Sequence, residues 1–583
     1  MADSHVETDT ILAIDLGLCS TRVYLFDLVD GNYRFVSFAE SPSTVTAPLS
    51  DPRIGVFQSI EQLEKYTGRE LLRANKTLIS PSGGGAGIDC LINIYSAGPA
   101  LKTILVGLVK DDSLKSIKNL AETAYTSILD NLSMGDQRKP DEWIDTIINI
   151  KPDTILIAGG TDNGASTAMR RLTDYVGLAS YLIPEKERPA VLFTGNQSMA
   201  DGIKESFESL VSTFRVSSNI RPYGMVEDLQ PAARDLSDLV TQINRTRITG
   251  FEDLYAWSGG NTLPSCYAHG RMIRFLSKAF ESDKGILAVD LGASAISISL
   301  GFNGQLIQGV YPQLGLGYAL SELLEITSLE SISRWIPADI SAGYIQDYLK
   351  QKGHYPSSIP ATRQDAAVEQ AIARQVLFLA VEQIKRKIPS QIPGVFDASL
   401  PYLEPIIVSG STLVKAPTHG QALMMVLDSL QPVGTTTIIL DRNHILPILG
   451  AVAEVNPSVP VQVLESGVFE GLAFVVTPVS NARQGTPLLS GTLFTDDGNS
   501  MTFEIDQGSF EVLPLPIGSS GRIVLEPRYH VDVGFGMGKK GEVQVSGTHM
   551  GVVIDARGRP LKLPDDEKIR QELMRKWIWT LGS

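Results

Sequence analysis

Residues 11–28 read ILAIDLGLCSTRVYLFDL, an apolar run that breaks at Asp15-Leu16-Gly17 and resumes as Val23-Tyr24-Leu25-Phe26. Two β-branched and aromatic runs so close together predict adjacent antiparallel strands joined by a short turn. Asp30-Gly31 starts a second turn before a strand at 33–38. Ile60, Leu63, Leu71 and Leu72 predict a helix over 60–72, interrupted near Thr67-Gly68. SPSGGGAG at 80–87 lacks the Lys-Ser/Thr ending of a P-loop and is read as a flexible connection.

The texture changes after residue 100. Strand-like TILVGLV (103–109), TILIAGG (154–160) and AVLFTGN (190–196) alternate with helical stretches near 113–131 and 164–176 and a further helix. Such alternation is the mark of parallel βαβ units. It predicts a flavodoxin-like domain at 99–225, inserted into a first lobe whose N-terminal part is 1–98, and followed by a helical connection at 226–284. In the loop GGTDNG (159–164), an anion site at the next helix N-terminus competes with a simple turn in which Asp162 or Asn163 caps that helix.

At residue 285 the opening phrase returns. GILAVDLGASAISISLGFNGQL (285–306) has the strand, Asp290-Leu291-Gly292, a small-residue turn, a second strand and a hairpin at Asn303-Gly304. The same supersecondary unit about 275 residues later implies duplication, and 285–457 is read as a second, related lobe. Helices are expected near 319–326 and 363–388, then a buried strand in EPIIVSGSTLVKAP (404–417). From 458 to 562 helical periodicity gives way to β-branched residues, Gly and Pro, predicting an all-β module. A helix over 563–583 closes the chain, with Ile569, Leu573 and Trp577 as its docking face and Trp577 and Trp579 read as packing residues.

Composition removes several functions. A net charge of −15 with no dense Lys/Arg stretch argues against nucleic acid as a partner. The polar start MADSHVETDT has no signal-peptide pattern, and no segment reaches the roughly 20 apolar residues a bilayer crossing needs, so a cytoplasmic protein without membrane contact is expected. Three scattered cysteines predict neither a disulfide scaffold nor a zinc knuckle, and the seven histidines form no cluster along the chain.

The repeated turn suits a phosphate. Gly17 and Gly292 let backbone N–H groups approach phosphate oxygens, and Asp15 and Asp290 suit a divalent metal such as Mg²⁺ or its waters. Ser20, Thr21, Arg22 and Ser294 add donors, and Gly410-Ser411, at the end of a strand, suits the nucleoside end of ATP.

These motifs in this order resemble the actin, sugar kinase and heat-shock-protein ATPase superfamily. Within it the chain is similar to the glutamate mutase-associated L family, labelled MutL or GlmL and unrelated to mismatch repair. ILAIDLGLCSTRVYLFDL matches its first phosphate motif, DPRIGVFQSIEQLEKYTG (51–68) its following helix, and KPDTILIAGGTDNG (151–164) its most distinctive phrase. PAVLFTGN, NIRPYGMVEDLQPAARDL, the second Asp-x-Gly and VSGSTLVKAP follow, and the likeness covers roughly residues 10–455.

The resemblance implies an α/β fold of duplicated actin-like, ribonuclease H-like lobes with the flavodoxin-like insertion and the C-terminal β module. It also implies an ATP-binding protein that assists or reactivates a protein partner, a coenzyme B12-dependent glutamate-type mutase, by analogy with diol dehydratase reactivases; homo-oligomerisation stays open. The family's second motif usually reads Asp-x-Gly-Gly-Ala-Thr-Thr-Asp, whereas this chain has Asp290-Leu291-Gly292-Ala293-Ser294-Ala295-Ile296-Ser297. Two hydroxyl donors and a carboxylate are missing, so at most a weak ATPase is expected and no catalytic residue is assigned. Gly410-Ser411 stands where the family has Gly-Gly. The alternative expectation is a pseudo-ATPase that works as a scaffold through its β module.

Overall fold

A computed structural model describes residues 9–224, 226–280, 283–389, 392 and 399–582. The chain forms two compact units, one of residues 1–28, 36–268 and 308–312, the other of residues 29–35, 269–307 and 313–583.

The first unit opens with β1 (Thr10–Leu16), β2 (Ser20–Val29), β3 (Asn32–Pro42) and β4 (Cys90–Tyr95). β1 runs antiparallel to β2 and parallel to β4. The hairpin turn after β2 places Asp30 and Gly31 both at positive φ, the conformation that makes Asp-Gly a hairpin signal. The helix Pro52–Thr67 begins eight residues before the expected 60. Asp51 caps it by accepting the Arg53 N–H, Pro52 supplies the first turn, and Gly68 in the left-handed region stops it. Leu71 and Leu72 therefore lie beyond the helix, while Val56, Ile60 and Leu63 form its buried stripe.

The inserted region contributes β5 (Leu101–Gly107), β6 (Thr126–Ser133), β7 (Thr154–Ala158), β8 (Ala190–Phe193) and β9 (Thr213–Val216). They form a wholly parallel sheet in the order β6-β5-β7-β8-β9. Counted within the insertion this is 2-1-3-4-5, the flavodoxin-like order. Side chains alternate between two cores: Ile155 and Ile157 face Trp143, Leu172 and Phe207, while Leu156 and Ala158 face Leu120, Leu236 and Val240. The helix Gln230–Arg247, expected to be connection, thus covers one face of this sheet. β6 falls inside the stretch expected to be helical: with Asp130 and Asn131 on an edge strand, TSILDNLS offers no clean period-2 signal. β10 (Thr262–Pro264) then joins β4 in parallel and completes the order β3-β2-β1-β4-β10.

The second unit repeats that order. Its strands β11 (Gly285–Leu291), β12 (Ile296–Phe302), β13 (Gln305–Tyr311), β14 (Leu403–Ser409) and β15 (Gly434–Leu440) lie as β13-β12-β11-β14-β15. Each lobe is therefore a ribonuclease H-like sheet of order 3-2-1-4-5, and the duplication is visible in topology as well as in sequence.

The boundary expected at 458 cuts through this second sheet. β16 (Glu470–Thr477), β19 (Phe510–Leu513) and β22 (Val552–Asp555) extend it to eight strands. Only β17 (Pro487–Thr495), β18 (Ser500–Asp506), β20 (Ser520–Pro527) and β21 (Gly541–Ser546) form a separate antiparallel sheet. Phe474, Val476 and Ile554 of the large sheet share one core with Leu493, Phe503 and Ile523 of the small one. That core is built wholly from residues 474–556, so the β-rich region has its own core while three of its strands extend the lobe's sheet. The terminal helix, Glu567–Thr580, buries Trp577 of the expected stripe together with Met574, whereas Leu573 is only partly buried, Ile569 is half-exposed and Trp579, expected to pack, is 81% exposed.

Candidate functional site

Both Asp-x-Gly phrases form the same turn. In the first unit Asp15 pairs across the ladder with Arg22, and the Gly17 N–H donates to the Ser20 carbonyl at 3.0 Å. In the second, Asp290 pairs with Ser297, and the Gly292 N–H donates to the Ala295 carbonyl at 3.1 Å. The offset from aspartate to ladder partner is seven residues in each, and a Cβ would meet the closing carbonyl oxygen 2.8 Å away at Gly17 and 2.9 Å away at Gly292. Glycine is required in both turns because the chain folds back onto its own backbone.

Asp15 is buried, and Arg22 reaches it at 3.5 Å while holding Glu40 more closely at 2.8 Å. Burial alone would lower the Arg22 pKa; Tyr24, Asp15 and Glu40 outweigh it and raise the pKa, so the guanidinium stays charged. Ser20 is half-buried at the turn. Thr21 is not part of its surface: the residue is fully buried, and its hydroxyl lies 3.0 Å from where a Cβ on Gly55 would stand, against the helix Pro52–Thr67. The strand period explains this, because neighbouring residues of β2 face opposite ways.

In the second unit the structure brings three predicted elements together. Gly410, at φ +111°, sits so close to the turn that a Cβ would lie 2.3 Å from the Leu291 carbonyl oxygen. Ser411 is exposed and opens the short helix Ser411–Val414. The Ser294 Oγ is shielded from solvent and has no hydrogen-bond partner among the described residues.

Two further contributors escaped the sequence reading. The His444 Nδ1 lies 3.7 Å from Asp290 and 3.0 Å from the Ser409 Oγ. Gly315 packs on the second turn, with a Cβ position only 2.6 Å from the Ala293 carbonyl, and the Leu316 N–H donates to the Gly292 carbonyl. A Gly-Leu-Gly at 315–317 was the available signal; His444 had none. Behind the turn, burial lowers the pKa of His269 to about 4, with Asp290 opposing the shift and His444 adding to it, so the ring is neutral at pH 7.

GGTDNG holds no helix cap. Asp162 accepts from the Gln197 N–H and the Asn219 Nδ2, and the helix Thr167–Leu182 starts at Ser166 with no side-chain cap. The loop borders a hollow of about 120 Å³ lined by Leu108, Asp112, Gly160, Thr161, Asn219 and Arg221. It opens beyond the carboxyl ends of β5, β7 and β9, the strand ends where ligands of doubly wound sheets bind.

The expectation that the histidines are scattered is corrected. His419, Glu470 and His549 converge, with one ligand atom of each within 4.8 Å of the others. They lie 51 and 79 residues apart in sequence, beyond the reach of any spacing motif.

Comparison with known proteins settles the family. A family model described as MutL protein matches residues 11–468, more than half of the chain. The chain belongs to the MutL protein family. A curated MutL protein from Clostridium tetanomorphum is 22% identical over 491 residues, covering 78% of this chain and 98% of that relative. Among solved structures, nucleotide-free diol dehydratase-reactivating factor matches 79% of this chain and 100% of its own, at 10% identity and a TM-score of 0.30. Nucleotide-free acetone carboxylase matches 86% of this chain and 81% of its own, at 12% identity and a TM-score of 0.30. Among the described residues no helix of this MutL-family chain is long and apolar enough to cross a membrane.

Proposed function

We propose that this MutL-family protein binds ATP and uses it to assist or reactivate a partner enzyme, a coenzyme B12-dependent mutase of the glutamate type. The observation that carries the ATP reading is the duplicated turn, closed by the same glycine hydrogen bond at the same ladder offset in both lobes. The residues present fit the ligand. The shielded Ser294 hydroxyl is a donor in want of an acceptor, and it stands in a turn that admits only glycine at 292.

In this reading the backbone of 16–22, with Ser20 and Arg22, contacts phosphate oxygens in one lobe. The backbone of 291–295, with Ser294, does so in the other. Asp15 and Asp290 are the carboxylates that would hold Mg²⁺ directly or through water, and the ion would neutralise phosphate charge. Gly410 and Ser411 flank the nucleoside end. Ser297 stands in the ladder where the family's motif ends in aspartate, so we assign no residue to water activation and expect binding to outpace hydrolysis. The choice of a mutase as partner rests on family membership.

Calorimetric titration of apyrase-treated protein with Mg-ATP and Mg-ADP tests the proposal. Saturable binding is expected, with a loss of about 100-fold or more when Asp15→Ala and Gly292→Val are combined, since each removes a separate contact set. Silence at millimolar nucleotide, or unchanged affinity in the double variant, overturns it. Silence would also favour the scaffold reading. That reading should be tested by charge substitutions on the exposed face of the β17-β18-β20-β21 sheet, because deleting 458–583 would remove three strands from the eight-stranded sheet. Restoration of activity to a mutase stalled by damaged cobalamin, dependent on ATP, tests the partner.

A further inference from the structure

Outside the two turns, one group of side chains is arranged for chemistry that neither turn requires. His419 is the first residue of the helix His419–Leu430, whose cap Thr418 accepts the Gln421 N–H. Glu470 begins β16, and His549 lies in the loop between β21 and β22, fixed by its N–H to the Gly471 carbonyl. Three elements of one unit thus deliver two imidazoles and one carboxylate to one place.

The geometry reads as a ligand set. The two rings stack with centroids 4.1 Å apart and planes 24° from parallel. The His549 Nε2 lies 3.2 Å from the Glu470 Oε2. The His419 Nε2 faces the Arg442 Nη2 at 3.3 Å. A guanidinium can only donate, so the His419 Nε2 must accept and carries its lone pair toward the cluster. Two stacked imidazoles gain nothing from each other electrostatically beside an arginine, yet their nitrogens and one carboxylate lie within 4.8 Å of one another. In a tetrahedral zinc site with bonds near 2.1 Å, ligand atoms are about 3.4 Å apart, a contraction that small side-chain rotations supply.

We propose that His419, Glu470 and His549 form a site for a borderline-soft divalent cation of the zinc class. Two imidazoles and a carboxylate are a donor set suited to zinc, cobalt or nickel and ill suited to magnesium or calcium, which demand oxygen. Three protein ligands leave a coordination position for water. By joining the helix after β14, the start of β16 and the loop before β22, the ion would staple the C-terminal strands to the second lobe.

Arg442 is the competitor. Its Nε lies 3.2 Å and its Nη1 3.5 Å from Glu470, and it also covers the His419 lone pair. Its side chain is 43% exposed, the kind of surface pairing that contributes little. The arginine is therefore a displaceable stand-in for the cation, and this gives the proposal its sharpest test.

Chelator-treated full-length protein is titrated with Zn²⁺, and separately with Co²⁺ as a spectroscopic probe. One zinc per chain is expected, weakened 10-fold or more by His419→Ala and by His549→Ala, and strengthened several-fold by Arg442→Gln. Cobalt should give a visible d–d band without a thiolate charge-transfer band. The Arg442→Gln and cobalt results stand even if a histidine variant fails to fold. Absence of stoichiometric zinc at about 100 μM, unchanged affinity in folded His419→Ala and His549→Ala, weaker zinc in Arg442→Gln, or a thiolate band would each overturn the assignment. None of these outcomes depends on nucleotide, so the site stands or falls independently of the ATP reading.

Discussion

Asp555→Asn should destabilise the second unit by about 3–5 kcal/mol, read as a fall in the midpoint of urea unfolding. Asp555 is wholly buried at the end of β22. Its carboxylate accepts from the Arg557 Nε at 2.8 Å and Nη2 at 2.9 Å, and from the Arg559 Nη2 at 2.7 Å. Burial would raise its pKa, but Arg557 and Arg559 more than reverse that and hold it far below the usual carboxylate range. Arg557 also donates to Asp428 at 2.8 Å, and Asp428 in turn accepts from the buried Arg374. Three guanidiniums thus share two carboxylates. Removing the charge of Asp555 leaves Arg559 without a carboxylate and Arg557 sharing Asp428, and uncompensated buried cations are what make broken interior pairs costly. The Arg557 guanidinium also lies 4.7 Å from the Trp577 ring and 4.9 Å from Phe510, so the loss should loosen the terminal helix as well. A double-mutant cycle sharpens the test. Asp555→Leu with Arg557→Met should cost less than the sum of the single changes, by 0.5–3 kcal/mol, because the pair leaves together; strict additivity would mean the network carries no coupling.

That network was invisible in the sequence for the same reason as the histidine cluster: its members are brought together by tertiary packing and share no local period. What the sequence did reveal was local and repeated. The Asp-x-Gly turn appears twice with the same flanking strands, and both copies fold with the same ladder offset. Of the five parallel strands of 101–216, β5, β7 and β8 were legible because each is buried on both faces and so reads as a short, continuous apolar run, whereas the four-residue, half-buried β9 carries no such run. β6 was missed because an edge strand need not hide Asp130 and Asn131. The supposed β module shows a different limit. Ser458–Glu465, expected to be β, is a helix; beyond it the β-branched runs form strands, but nothing in a strand's own sequence says which sheet it joins, and β16, β19 and β22 join the lobe. Asp15, Gly17, Asp290, Gly292 and Gly410 stand out in the sequence because turns and close backbone approaches demand special residues. Thr21 was misplaced by one strand face, and His444 and Gly315 reach the second turn from elsewhere in the fold.

Gly410 and Ser411 are not equivalent. Where the family shows two glycines, only the first meets a steric demand here. Gly410→Val should lower the stability of the second unit by about 3 kcal/mol or more, from two sources. Its φ of +111° is a conformation that branched residues rarely adopt, costing about 1–3 kcal/mol. Its Cβ would also stand 2.3 Å from the Leu291 oxygen and 2.8 Å from the Leu291 carbonyl carbon, a backbone clash that no rotamer relieves. The displaced atoms belong to the turn that closes on the Gly292 N–H, so on the proposed function ATP affinity should fall by about 100-fold or more. Ser411→Gly is the control. Ser411 is exposed and starts a short helix without filling the space beside the turn, so its replacement should leave the urea midpoint unchanged. If Gly410→Val unfolds at the wild-type midpoint, the close approach to Leu291 is not a constraint. If it is destabilised yet binds ATP normally, nucleotide does not read the second turn, and the phosphate contacts of that lobe would have to be reassigned.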